Sequence, residues 1–204
     1  MRCSNQSRRA GNTLLEFALV VGFLVPLLLG TVNVGMNLSR SIQVTQVSRD
    51  AGHMFARYVD FSLPGNQDLI VRLAAGLGMT RTGGNGKVIL SKIMFVGETE
   101  CAAGGLTLAQ CTNYNQPVIL QRIVIGNASL RASAFGEPNP ALLDSQGNVA
   151  NYLTDVSARA VGFQGLLALQ PGEFAYVSEA FFQSPDYDFP GFSRNSSIYA
   201  RTIF

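Results

Sequence analysis

The 204-residue chain has no tryptophan, one histidine and three cysteines, and only 14% of its residues are charged. The single histidine, His53, falls on the polar side of a predicted helix and reads as a surface residue, so a histidine-based catalytic site is disfavoured. No nucleophile, base and orienting group stand at motif spacing, which makes an enzyme the least favoured class, with no cofactor or metal expected. The formal net charge is only +2, and Arg2, Arg8 and Arg9 all lie within the first nine residues. The remainder is near neutrality, with no basic patch for nucleic acid. The glycine-rich run from Thr82 to Gly86 lacks the spacing of a phosphate-binding loop and reads as a flexible turn.

What the chain does have is apolar sequence, 47% of its residues, with a mean hydropathy of +0.20. That balance suits one membrane span attached to one globular part. Phe17 to Met36 reads FALVVGFLVPLLLGTVNVGM without a charge, and a helix of about 20 residues rising roughly 1.5 Å each matches a hydrocarbon core of about 30 Å. The run is longer than the core of a secretory signal, and no A-x-A site follows it, so cleavage after the span is not expected. No cysteine follows it either, which argues against a lipoprotein. Three arginines precede the span, while Arg40 and Arg49 are the nearest basic residues behind it. This bias places the amino terminus in the cytoplasm and the rest outside it.

Glu16 stands at the mouth of this run. A carboxylate costs roughly 2.5–3.5 kcal/mol at mid-span and less near the interface. By position alone it could simply lie among lipid headgroups on the first helical turn, favoured by the helix dipole. Its neighbours open a second reading, because Arg8-Arg9-Ala10-Gly11 leads directly into Asn12-Thr13-Leu14-Leu15-Glu16-Phe17. The string from Arg8 to Met36 resembles the start of TadE-like pseudopilins, minor components of tight-adherence (Flp-type) pilus systems within the type IV pilin superfamily. The resemblance implies that a prepilin peptidase cuts after Gly11, making Asn12 the new amino terminus and Glu16 the fifth mature residue. Phe17 fits the aromatic that usually follows the glutamate in that family. The freed α-ammonium could then pair with Glu16 on a neighbouring helix, since a paired buried charge is far less costly than an unpaired one. Gly22, Pro26 and Gly30 recur every four residues. They are either a packing stripe or an instance of the general frequency of glycine and proline in spanning helices.

Beyond Met36 the pattern becomes amphipathic. Val44, Val47, Ala51, Met54, Phe55 and Tyr58 fall on one side and Arg49, Asp50, His53 and Arg57 on the other, predicting a helix to about Val59. Leu63-Pro64-Gly65-Asn66 breaks it, and a second helix is predicted from Asn66 or Gln67 to Met79. Strands are predicted at Lys87 to Gly97 and Pro117 to Gly126, paired antiparallel, and at Leu166 to Gln170, Glu173 to Gln183 and Ser197 to Phe204, with a turn at Pro171-Gly172. Cys101 and Cys111 lie in the connection between the first two. Removal of Cys3 with the leader would leave this even pair, and a disulfide is favoured over free thiols or half a metal site. Asp155-Val156-Ser157-Ala158-Arg159 superficially resembles a D-x-S-x-S metal motif but ends in arginine and reads as accidental. Asn127-Ala128-Ser129 and Asn195-Ser196-Ser197 match glycosylation sequons, a short pattern common by chance, and Asp186 and Asp188 read as a polar loop before Pro190.

The expected architecture is α+β: a basic leader over 1–11, a transmembrane and assembly helix over 12–36, and an extracytoplasmic head over 37–204 whose amphipathic helix packs on a mainly antiparallel sheet. The expected function is that of a non-catalytic minor pilin or pseudopilin of a tight-adherence-type pilus or secretion machine. It would be held in the inner membrane by a single pass and assemble as a hetero- or homo-oligomer. Its implied partners are the membrane, the prepilin peptidase, other pilin subunits and the inner-membrane platform. The alternative is a membrane-anchored, adhesin-like binding module that does not assemble.

Overall fold

The computed structural model describes residues 7–183 and 197–204, with side chains from Thr13 onward. Arg2, Cys3, Asp186, Asp188, Pro190 and the Asn195 sequon lie outside the described residues. Two compact units are distinguished, one ending at Ser41 and one comprising Ile42–Phe204. Helix α1 runs from Ser7 to Ala56, contributing residues to both.

The second unit is a four-stranded antiparallel sheet with helices on one face and irregular chain on the other. Its strands are β1 (Gly86–Phe95), β2 (Pro117–Gly126), β3 (Phe174–Gln183) and β4 (Ser197–Ile203), in the order β2-β1-β3-β4. Helix α2 (Pro64–Leu73) follows α1, and a short helix α3 (Glu98–Ala103) lies between β1 and β2. The expected α+β class, with one candidate membrane helix and a mainly antiparallel sheet, is what the chain adopts.

Period-two alternation sends Val88 and Leu90 of β1, Ile123 and Ile125 of β2, and Ala180 and Phe182 of β3 to the helical face. There they pack with Val44, Val47, Ala51 and Phe55 of α1 and Ile70 and Ala74 of α2. The opposite face carries Ile93, Ile119, Ala175 and Val177, which meet Phe135, Val149, Ala158 and Phe163 from the irregular chain between β2 and β3. A bulge makes both faces possible on β2. Lys92 pairs with Gln121 and Ile93 with Ile119, leaving Leu120 as the extra residue, so Val118 and Ile123 escape strict alternation.

The irregular layer also closes the β2 edge. Arg122 N donates to Gly147 O at 2.7 Å, Val149 N to Leu120 O at 2.8 Å and Ala160 N to Pro117 O at 2.8 Å. An exposed edge would otherwise offer these groups to another chain. Gly147 has φ +77°, and a Cβ there would stand 2.4 Å from Arg122 O, so glycine is required for this approach.

Three predicted elements differ from what is observed. Helix α1 ends at Ala56 rather than near Val59, because Tyr58 adopts φ +64° and turns the chain, leaving its side chain exposed. Helix α2 begins at Pro64 and ends at Leu73, followed by a separate 3-10 turn at Ala75–Leu77. Pro64 opens this helix instead of marking a break, since its fixed φ and missing N–H suit a first turn. Leu166 to Gln170 is not a strand. Leu166 and Leu167 both donate to Phe163 O at the end of a 3-10 turn, which uses the backbone groups a strand would need.

The disulfide between Cys101 and Cys111 is formed, with Cα atoms 5.9 Å apart, and is packed with Met94, Val96 and Val118. Cys101 sits on α3, whose start is held by Gly97 N donating to Glu100 Oε2 at 2.7 Å. Replacing Cys101 with serine is expected to lower stability by about 2–3 kcal/mol through the reopened loop; denaturant unfolding of the full-length protein in detergent checks it.

Gly52 lets α1 approach the sheet closely. A Cβ there would lie 2.4 Å from the Phe204 ring and 3.1 Å from Ser178 Cβ. Gly52→Val is therefore expected to cost about 1–3 kcal/mol by overpacking, read as a lowered midpoint in the same unfolding measurement.

Candidate functional site

Gly11, Asn12, Glu16 and Phe17 all lie on α1, so the predicted cleavage point is within helical backbone. Asn12 and Glu16 are four residues apart and therefore share a face, one turn above the other. Glu16 is exposed, and so are Leu14, Phe17, Leu19, Phe23 and Leu24, at 71, 68, 70, 72 and 53%. An uninterrupted apolar surface of this kind calls for a non-aqueous environment or a protein partner. One helix in the described residues, Thr13–Ala56, is long and apolar enough to cross a membrane, and its apolar window is 0% buried. Single-pass membrane anchoring follows from that composition and length.

Pro26 removes one i→i−4 hydrogen bond, to the Gly22 carbonyl. A Cβ added at Gly22, Gly30 or Gly35 would meet nothing within 4 Å, so no contact inside the chain explains these glycines. Thr31 turns its hydroxyl back to Leu28 O at 2.8 Å, and Asn37 Nδ2 donates to Asn33 Oδ1 at 3.3 Å, keeping these polar groups satisfied along the helix.

The head holds a second constellation that the linear pattern did not single out: buried charges between the sheet and the irregular layer. Glu179 of β3 is 2% exposed and accepts hydrogen bonds from Ser133 Oγ, from Ala134 N at 2.9 Å and from the Tyr199 hydroxyl at 2.7 Å. Arg122 of β2 lies 3.9 Å from the same carboxylate and donates to Gly136 O at 2.7 Å. Its Nε and Nη1 have no hydrogen-bond partner among the described residues. Burial pushes the Arg122 guanidinium down to about 10, against the opposing pull of Glu179 and Glu137. It likewise pushes the Tyr199 phenol well up, assisted by the neighbouring Glu179. Lys87, 3% exposed, donates to Ala128 O and Arg131 O, both at 3.1 Å, and lies 4.0 Å from Glu137.

One sequence signal could have exposed this cluster. Counting by twos from Ala175 and Val177 puts Glu179 on the buried side of β3. Its convergence with Arg122 depends on the register, in which Ser91 faces both Arg122 and Val177 and Ile89 faces Glu179. Its bonds tie residues 128–137 to the sheet.

Other singled-out residues have local roles. His53 is exposed, and its ring rests on Phe204 with centroids 4.3 Å apart. Asp155 accepts from Ser157 N at 2.7 Å and starts a 3-10 turn, while Arg159 Nε donates to Asn113 Oδ1 at 2.8 Å. Asn127 accepts from Ser129 N and Oγ, folding the first sequon into a tight turn.

A family model described as TadE-like protein matches residues 11–53, in agreement with the resemblance read from the amino-terminal string. The match begins at Gly11, spans the apolar run and ends on the amphipathic half of α1. No curated protein and no solved structure matches the chain.

Removing Glu179 would leave Arg122 buried without its counter-charge. Glu179→Ala is expected to destabilise the head by about 3–5 kcal/mol. Combining it with Arg122→Met should recover part of that loss, a non-additivity that a double-mutant cycle in denaturant unfolding would measure.

Proposed function

We propose that the protein is a minor pilin or pseudopilin subunit of a tight-adherence-type pilus or related secretion machine, anchored by one pass in the inner membrane with its head outside the cytoplasm. The observation that carries this reading is the conjunction at the start of α1. Gly11, where the family match begins, stands five residues ahead of an exposed carboxylate, and an uncovered apolar helix follows. A simple tether needs the apolar helix but gives no reason for the glutamate or the glycine ahead of it.

The proposed sequence of events is hydrolysis of the Gly11–Asn12 peptide bond by a prepilin peptidase, releasing residues 1–11 with their three arginines. This leaves an α-ammonium on Asn12, four residues from Glu16. On its own helix that ammonium lies one turn from the carboxylate. On an adjacent subunit it would neutralise Glu16 in a low-dielectric surrounding, where an unpaired charge costs most. The pairing sets the axial register between subunits. The uncovered glycines of the span allow neighbouring helices to approach closely. The protein contributes no catalysis in this reading; its partners are the peptidase, other pilins and the inner-membrane platform.

Amino-terminal sequencing of protein isolated from native envelopes tests the first step. The expected mature terminus is Asn12, and Gly11→Leu is expected to retain the leader and abolish assembly. An intact Arg8-Arg9 tract on the wild-type protein would favour the anchored binding module instead. Glu16→Ala should be cleaved normally yet enter filaments at least about tenfold less, because an orphaned buried charge costs roughly 3–5 kcal/mol; immunoblotting of sheared pili against whole cells reads this.

A further inference from the structure

A cleft of about 200 Å³ opens in the head beside the last turn of α1, far along the chain from Gly11 and Glu16. Its floor is one cross-strand row, Gln121 of β2, Lys92 of β1 and Tyr176 of β3, which the register places side by side. Its wall is Tyr58, just beyond the end of α1, with Asp60 and Gln146 at the rim. The β-bulge falls at Lys92/Ile93, so this row is the one the bulge re-aims.

Three features of the cleft bear on what it could hold. Tyr58 takes φ +64° as the residue that closes α1, with Tyr58 N donating to Phe55 O and Val59 N to Met54 O, both at 3.0 Å. That turn leaves Tyr58 81% exposed at the cleft. Its ring meets Tyr176 edge-on with centroids 6.2 Å apart. Lys92 has no carboxylate at ion-pair distance among the described residues. Its ammonium instead lies 4.4 Å from the Phe174 ring centre and 5.8 Å from that of Tyr176. Asp60 accepts from Ser62 N at 2.9 Å and Ser62 Oγ at 2.6 Å, and these bonds hold its carboxyl below the ordinary range. It is therefore a fixed acceptor with a second oxygen to spare.

We infer that this cleft binds an acidic sugar unit, a pyranose ring bearing a carboxylate. The ring's C–H face would lie on Tyr58, with Tyr176 beside it. Its carboxylate would meet Lys92, and its hydroxyls would donate to Asp60 and exchange hydrogen bonds with Gln146. An apolar ligand would desolvate Lys92, Asp60 and Gln146 without compensation. A bare phosphate has no apolar face to place on the Tyr58 ring. The volume lies below the roughly 300–1,000 Å³ of pockets for drug-sized molecules, which suits one ring rather than a longer segment.

The test uses full-length protein in a detergent without a sugar headgroup, with D-galacturonic acid, D-galactose and tri-galacturonic acid as probes in saturation-transfer NMR and titration. The acid is expected to bind at least about tenfold more tightly than the neutral sugar, a gap of about 1.4 kcal/mol. Lys92→Gln should erase that gap. Tyr58→Gly relieves the backbone strain, so it should leave the unfolding midpoint unchanged or raised while weakening binding of the acid at least about tenfold. Comparison of the trimer with the monomer tells whether a chain end or a free sugar is the occupant. No transfer to either acid, equal binding of acid and neutral sugar, or undiminished binding by Tyr58→Gly would overturn the proposal. These readouts are independent of leader processing, so failure here leaves the pilin reading standing.

Discussion

The head depends on one close approach, that of the last four turns of α1 to strands β3 and β4. Small residues make it possible. Gly52 leaves room for the Phe204 ring, and Ser48 donates to Ser178 O at 3.2 Å and lies 3.2 Å from the Thr202 hydroxyl. Around that seam Val44, Val47, Ala51 and Phe55 reach the apolar residues of β1, β2 and β3. A glycine inside a helix costs about 1 kcal/mol relative to alanine. The cost is offset here because bulk at this position would lift the helix off the sheet and open the core that α1, α2 and three strands share.

The same helix carries two different solvents' worth of sequence. From Thr13 to about Leu38 its large apolar side chains are exposed, and from Val44 they are buried at every third or fourth residue. A soluble chain could not leave the first segment uncovered. An all-round apolar helix also could not leave one face for water, as Arg49, Asp50 and His53 do. Membrane anchoring and head packing are thus successive demands on one element, met by a change in hydrophobic period rather than by a break in the backbone.

On the far side of the sheet no α-helix among the described residues buries the strands, and the chain between β2 and β3 covers them with short 3-10 turns and irregular backbone. Buried charge ties that layer down. Glu179 gathers donors from Ser133, Ala134 and Tyr199, and Lys87 satisfies the carbonyls of Ala128 and Arg131. Backbone groups that a loop would otherwise bury unpaired find partners in this way. The arrangement is specific, because a carboxylate that accepts three directed hydrogen bonds allows few alternative positions for residues 128–137.

The apolar run was legible from residue order, because a membrane span depends on an unbroken stretch of neighbours. The amphipathic half of α1 and the four strands of the sheet were legible too, since burial of one face imposes periods of 3.6 and 2 on the sequence. The disulfide was favoured by an even count and a short loop. The supposed strand at Leu166 to Gln170 failed because apolar composition does not distinguish a strand from an exposed turn whose N–H groups bond Phe163 O. Helix α3 and the order β2-β1-β3-β4 had no local signature. The cluster around Glu179, the cleft beneath Tyr58 and the role of Gly52 arise only when register, bulge and helix seat residues from distant segments side by side. Local pattern determined which segments are helix, strand and span; tertiary structure decided which charges and rings meet, because a contact between residues more than 40 positions apart leaves no mark on the sequence around either one.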